Sequence, residues 1–136
     1  MTQKPVVLGI PFDLQDRDWP GDVALPAPSA QLVPDVGPVP PHPDDIARAA
    51  MAVGKSRKIV VMAGMGAVVA GAGGACRRLA EKCDGLLATT LPARGLFHDD
   101  PYCFGVAGGF STEIGRKLME EADLVIAVGT ILAHHN

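Results

Sequence analysis

The chain has 136 residues, enough for one domain with a real core and too few for two complete ones. Hydrophobic residues make up 48% but aromatics only 4%, so Ala, Val, Leu and Ile must build that core. The formal charge is −3 with no basic run, which argues against a nucleic-acid or anionic-membrane surface as partner.

The N-terminus carries no signal-peptide pattern, because Pro5, Pro11 and Asp13 interrupt any apolar region. A membrane span needs about 18 or more apolar residues. The longest candidate, residues 59–75, is broken by Gly64, Gly66, Gly71, Gly73 and Gly74. A cytoplasmic protein is expected.

Residues 4–11, "KPVVLGIP", form a short β-branched run closed by proline and predict a buried strand. Residues 12–43 then carry Pro20, Pro26, Pro28, Pro34, Pro38, Pro40, Pro41 and Pro43. Proline lacks an amide hydrogen and drives its predecessor into extended conformations, so neither a helix nor a central strand runs through. An extended linker of this length is expected to join two domains.

Beyond it, His42 or Pro43 opens a helix with Asp44 and Asp45 in its first turn, Ile46, Ala50 and Val53 at helical spacing, and Gly54 as its stop. A strand is predicted over residues 58–63, then a glycine turn and a helix over residues 71–83. Ala72, Cys76, Leu79 and Cys83 make that helix's buried stripe, with Arg77, Arg78, Glu81 and Lys82 facing water. "LLAT", residues 86–89, is a second strand, and a long loop with a short strand at 102–106 follows. Ser111 or Thr112 caps a helix that buries Ile114 and Leu118. "DLVIAVG", residues 123–129, is a uniformly apolar strand, expected to be covered on both faces. Strands alternating with helices predict an α/β fold, Rossmann-like, three-layer α/β/α with a parallel sheet. Both ends read as cut, the C-terminal one within the sheet, so a fragment of a larger polypeptide is expected.

Motifs with chemistry are sparse. The dinucleotide fingerprint G-x-G-x-x-G is met by Gly64 and Gly66, but Val69 stands at the third glycine. The Lys and Ser/Thr of a P-loop are missing too, since Ala72 and Gly73 follow Gly71. The glycines serve equally to bring a helix close to the sheet. Cys76, Cys83 and Cys103 form no CxxC pair or zinc spacing and read as packed free thiols. His134 and His135 are adjacent and, on a strand, point to opposite faces. His98, Asp99 and Asp100 read as a solvated turn, and no G-x-S-x-G elbow occurs.

The order of segments resembles thiamine-diphosphate-dependent enzymes of the acetolactate synthase, benzoylformate decarboxylase and oxalyl-CoA decarboxylase type. "KPVVLGIPFDLQ" resembles the strand G-P-V-x-L-x-I-P-x-D that closes their pyrimidine-binding domain. "KIVVMAGMGAVVAGAGGACRRLAEKCDGLLATTLPARGLFHDDPYCFGVAGGF" is similar to the run of their central domain: strand, G-x-G-A, helix, strand ending in Thr-Thr, a G-x-x-x-x-D-x-P loop and G-x-x-G. "EEADLVIAVGT" is similar to the next strand.

The resemblance implies three segments: residues 1–12 as the last strand of a pyrimidine-binding domain, 13–42 as an inter-domain linker, and 43–136 as a partial central domain. It implies a Rossmann-like sheet that holds FAD or ADP in some members and nothing in others. Carried over by position, a nucleotide would touch Gly64, Gly66, Ala67, Thr90, Leu91, Gly105, Gly108, Gly129 and Thr130. FAD-binding members follow the last strand with an arginine-containing acidic segment. Here "TILAHHN" stands, closer to the benzoylformate type.

Thiamine diphosphate and magnesium need an activating glutamate and a G-D-G…N motif from other domains, and Gly21-Asp22-Val23 is no such motif. Both are therefore expected only in a parent lyase or transferase. The chain itself is expected to be inactive and to have no catalytic residue or metal ligand. Its expected partners are the parent's remaining domains and further copies of itself. The alternative reading is a free-standing ADP- or NAD-binding module; a small oxidoreductase is a third.

Overall fold

The computed structural model describes residues 5, 7–32 and 37–132, with the side chain of residue 30 left aside. The chain divides into two compact units, Met1–Val39 and Pro40–Asn136. Residues 133–136, with His134 and His135, lie outside the described residues.

In the first unit the described part of the predicted N-terminal strand has no regular structure, and Val7 and Leu8 are exposed. A strand persists only when a neighbour takes its amides and carbonyls, and the described residues of this unit supply no ladder. The proline-rich stretch holds two single helical turns, α1 (Phe12–Gln15) and α2 (Ser29–Leu32). Each starts directly after a proline, whose fixed φ suits entry into a helix. An uninterrupted extended linker is thus corrected to one with two short turns.

The second unit opens with α3 (Pro43–Lys55). Pro43 takes the first helical position, and His42 Nδ1 accepts the Asp44 N–H at 3.2 Å. The helix runs through Gly54 rather than stopping there, and its predicted apolar face stays open: no residue of α3 is buried, and Ile46 and Met51 are exposed.

Four strands follow: β1 (Ile59–Ala63), β2 (Leu86–Thr89), β3 (Cys103–Val106) and β4 (Leu124–Val128). They pair in parallel in the order β3-β2-β1-β4. Between β1 and β2 lie α4 (Met65–Val69) and α5 (Gly73–Lys82). A 3-10 turn, η1 (Leu91–Ala93), follows β2, and α6 (Glu113–Glu121) joins β3 to β4. The predicted glycine turn is therefore partly helical. Gly71, at φ +62°, separates α4 from α5 in a conformation that disfavours any side chain.

β1, "IVVMA", is buried along its whole length, and its alternation feeds two cores. Val61 and Ala63 meet Ala67, Cys76, Ala80, Leu87 and Phe97 under α4 and α5. Val60 and Met62 meet Ala88 and Ala107, with Phe104, Met119 and Ala122 packed against them from the α6 side. Helices thus cover both faces of a parallel sheet, an α/β fold.

Two predicted faces are corrected. α6 turns Gly115 to the core, where an added Cβ would lie 3.1 Å from Phe104, so Ile114 points out and is 71% exposed. β4 is half-open rather than covered on both faces. Among the described residues it has a strand on one side only, α6 packs on β3, and Val125 and Ala127 stay exposed.

Candidate functional site

A parallel sheet collects all its strand ends on one side. The order β3-β2-β1-β4 reverses direction between β1 and β4, the place where open α/β sheets form ligand crevices. The nine residues carried over by resemblance all fall at this carboxyl end. Gly64, Gly66 and Ala67 follow β1, Thr90 and Leu91 follow β2, Gly105 and Gly108 are in and after β3, and Gly129 and Thr130 follow β4.

At this switch point two backbones cross. Gly64 N–H donates to Val128 O at 2.8 Å, and Gly66 N–H donates to Gly129 O at 2.8 Å. A Cβ on Gly64 would lie 2.7 Å from Thr130 Cα, one on Gly66 2.9 Å from Gly129 Cα, and one on Gly129 2.6 Å from the Gly66 carbonyl carbon. Gly129 also holds φ +60°. Three glycines are therefore needed where two turns touch, a requirement independent of any ligand. Ala67 N–H donates to Gly64 O at 3.0 Å, so of the four amides at this turn only that of Met65 has no partner among the described residues.

The other strand ends are tied in the same manner. Buried Thr90 donates its N–H to Ala63 O at 2.9 Å, and Ala107 N–H donates to Thr89 O at 2.8 Å. Gly105 and Gly108, at φ +97° and +86°, shape the β3 end, and Leu91 lies partly open at the rim. None of the nine residues carries charge. Arg94, the nearest cation along the chain from Leu91, is exposed and closes η1.

At α6, Thr112 rather than Ser111 makes the cap, its Oγ1 accepting the Gly115 N–H at 3.1 Å. Ser111 Oγ is buried without a hydrogen-bond partner among the described residues, which the sequence did not signal. Burial pushes the Cys76 and Cys103 thiols up from their ordinary values, keeping both protonated and poorly nucleophilic.

Two charged clusters lie away from the strand carboxyl ends. Arg77, predicted to face water, is partly buried: it pairs with Asp99 and, at 3.3 Å, with Asp100, and it lies 5.4 Å over the Phe97 ring. Of the predicted solvated turn, His98 and Asp99 are exposed, and only Asp100, with its side chain 18% exposed, is corrected. At the amino end of the sheet, Asp123 accepts the Arg57 and Lys58 N–H groups, each at 3.0 Å, beside a 2.8 Å Lys58–Glu121 pair. Among the described residues no group of three or more His, Cys, Asp or Glu is placed to hold a metal ion. No helix among them is long and apolar enough to cross a membrane.

The family model of the thiamine pyrophosphate enzyme central domain matches residues 46–136. The chain is 32% identical over 130 residues to a probable acetolactate synthase large subunit of Methanocaldococcus jannaschii, covering 92% of this chain and 21% of that protein. It is 32% identical over 130 residues to the chloroplastic acetolactate synthase 1 of Zea mays, covering 92% and 19%. It is 30% identical over 132 residues to the acetolactate synthase large subunit of Corynebacterium glutamicum, covering 93% and 20%. The chain spans about a fifth of the length of these relatives. With the match of residues 46–136 and the parallel sheet they build, the chain belongs to the thiamine pyrophosphate enzyme central-domain family.

Proposed function

We propose that residues 43–136 act as a non-catalytic scaffold within an acetolactate-synthase-like or 2-oxo-acid decarboxylase enzyme. On this reading, residues 1–12 end a preceding domain and residues 13–42 link the two. Other domains of that enzyme hold thiamine diphosphate and magnesium and carry out the chemistry, and this segment keeps them at a fixed separation.

The observation that carries the scaffold reading is the backbone crossing. Of the four amides in the glycine turn, those of Gly64, Gly66 and Ala67 are already bonded, to Val128 O, Gly129 O and Gly64 O, and only that of Met65 is without a partner among the described residues. A phosphate taking more than the Met65 amide would have to displace backbone bonds, and none of the nine residues brings a positive charge in return. The residues present therefore do not suit a diphosphate in the glycine turn. The second reading, an adenine-nucleotide module with ADP preferred to FAD, is favoured by the convergence of all nine residues on one end of the sheet.

Titration calorimetry of the chain with FAD, ADP and NAD separates the two readings. We expect weak or undetectable heats, with ADP ahead of FAD. Sub-micromolar affinity for FAD would overturn that ranking and add a nucleotide site to the scaffold. In parallel, the chain supplied with thiamine diphosphate and magnesium is expected to give no saturable turnover of pyruvate and no rise in Tm.

A further inference from the structure

We propose that Asp84 is a site of spontaneous covalent modification, the isomerisation of its link with Gly85 to an isoaspartyl bond, and that the folded end of α5 holds this reaction in check. Asp84–Gly85 is the one Asp–Gly step in the sequence, and no Asn–Gly step occurs.

The chemistry needs nothing beyond the chain and water. The Gly85 nitrogen attacks Cγ of the protonated Asp84 carboxyl. An N–Cγ bond forms, the Cγ–OH bond breaks, and the hydroxyl leaves with the amide proton as water, closing a five-membered imide. Water then reopens the ring. Addition at Cγ restores the aspartate. Addition at the main-chain carbonyl breaks its bond to the Gly85 nitrogen and leaves the chain running through Cγ. No electrons are exchanged, and the water lost is regained. Glycine hinders the attack least, since no Cβ stands beside its nitrogen.

The fold decides when the ring can close. Asp84 is exposed and sits at φ +48°, a conformation unfavourable for residues with a side chain. It follows Cys83, the C-cap of α5, and the turn closes as a Schellman motif. Gly85 N–H donates to Ala80 O at 2.8 Å, and Asp84 N–H donates to Glu81 O at 3.4 Å. Gly85 is buried, and an added Cβ would lie 3.0 Å from Ile59 O. The carboxyl is therefore open to water, while the attacking nitrogen is packed away with its proton engaged. Ring closure waits for the end of α5 to open, an event local to this turn. An aspartate in the left-handed position lets that turn open more readily than a glycine would.

The product does not fit the place it leaves. An isoaspartyl link adds one main-chain atom between α5 and β2. Gly85 then cannot keep its bond to Ala80 O while Leu86 keeps its register with Val60. The modified chain is less stable, and the site becomes a covalent mark of molecules that have opened.

Incubation of the protein at neutral pH, with and without urea, tests this. The tryptic peptide of residues 83–94, released after Lys82 and Arg94, is followed by chromatography and mass spectrometry. An isoaspartyl methyltransferase with labelled methyl donor identifies the isomer. It should accumulate in unfolding urea and form about tenfold or more slowly in buffer. In sub-denaturing urea its rate should rise in step with hydrogen exchange of the Gly85 amide. Asp84→Asn reaches the same imide by losing ammonia and should react faster in both conditions, whereas Asp84→Gly should abolish the signal. The purified isomer should melt below the parent. Equal rates in buffer and urea, no isomer in urea, or an isomer that melts with the parent would overturn the proposal.

Discussion

Gly71 and Gly129 hold nearly the same backbone conformation, at φ +62° and +60°, yet their surroundings are opposite. An added Cβ at Gly71 meets nothing within 4 Å, whereas at Gly129 it meets the backbone of Gly66 and Ala67. Gly71→Ala should therefore cost only the left-handed penalty, about 1–2 kcal/mol. Gly129→Ala carries that penalty plus the displacement of a turn, for a total of about 3 kcal/mol or more. Urea denaturation of the two variants reads the difference directly, and equal losses would show that the backbone crossing is not a constraint. The sequence made Gly64 and Gly66 visible because they follow a strand. It could not reveal that Gly66 donates to a carbonyl beyond β4, since that bond depends on which strand lies next to β1.

Among the elements, β1 and α5 were legible and α6 was legible in extent but not in orientation. Five apolar residues in a row marked β1 as a strand, and it is buried throughout because it lies between β2 and β4 with helices over both faces. The stripe of Ala72, Cys76, Leu79 and Cys83 also lies inward as its spacing required. α6 misled because hydrophobicity favours Ile114, while the close approach to Phe104 requires the small Gly115 at the contact. Arg77 misled for the converse reason, since its charge is answered by two aspartates far along the chain. It pins the loop from η1 to β3: its guanidinium meets Asp99 and Asp100, its Nη2 donates to Leu96 O at 3.4 Å, and Phe97 lies under its face. Arg77→Met should destabilise by about 1–2 kcal/mol, combining a partly exposed ion pair with a cation–π contact. Arg77→Lys should recover part of the charge pairing but not the fork or the stacking. The sharper readout is tryptic cleavage after exposed Arg94, within the pinned loop. It should accelerate in the methionine variant, and an unchanged cleavage rate would remove the pinning role.

At the scale of the whole molecule, the family was legible because the order of strand, glycine turn, helix and Thr-Thr strand survives where no single motif is complete. The half-open face of β4 was less so, because an apolar run looks the same on a half-covered strand as in the middle of a sheet. What holds the amino end of that strand is electrostatic, and it makes global stability depend on pH. The Arg57 amide, followed by that of Lys58, holds the Asp123 carboxyl below its ordinary value. The Lys58 ammonium does the same to Glu121, and is itself raised by that glutamate. A carboxyl depressed in the folded chain contributes stability above its unfolded pKa and loses it as the pH falls through the folded value. The Lys58 contribution has the opposite sign: it is complete below the ordinary lysine pKa and lost as the pH rises through the raised one. Tm should therefore be level around neutrality and fall at both extremes. Asp123→Asn should melt below the parent at neutral pH, with the gap closing in acid below the ordinary carboxylate range. Because these groups are exposed, high salt should weaken the Lys58–Glu121 pair more than the short Asp123 bonds to backbone amides. Thermal melts of both proteins across the acid range check this. A deficit in the asparagine variant that stays constant with pH would mean that the Asp123 charge does not secure the strand.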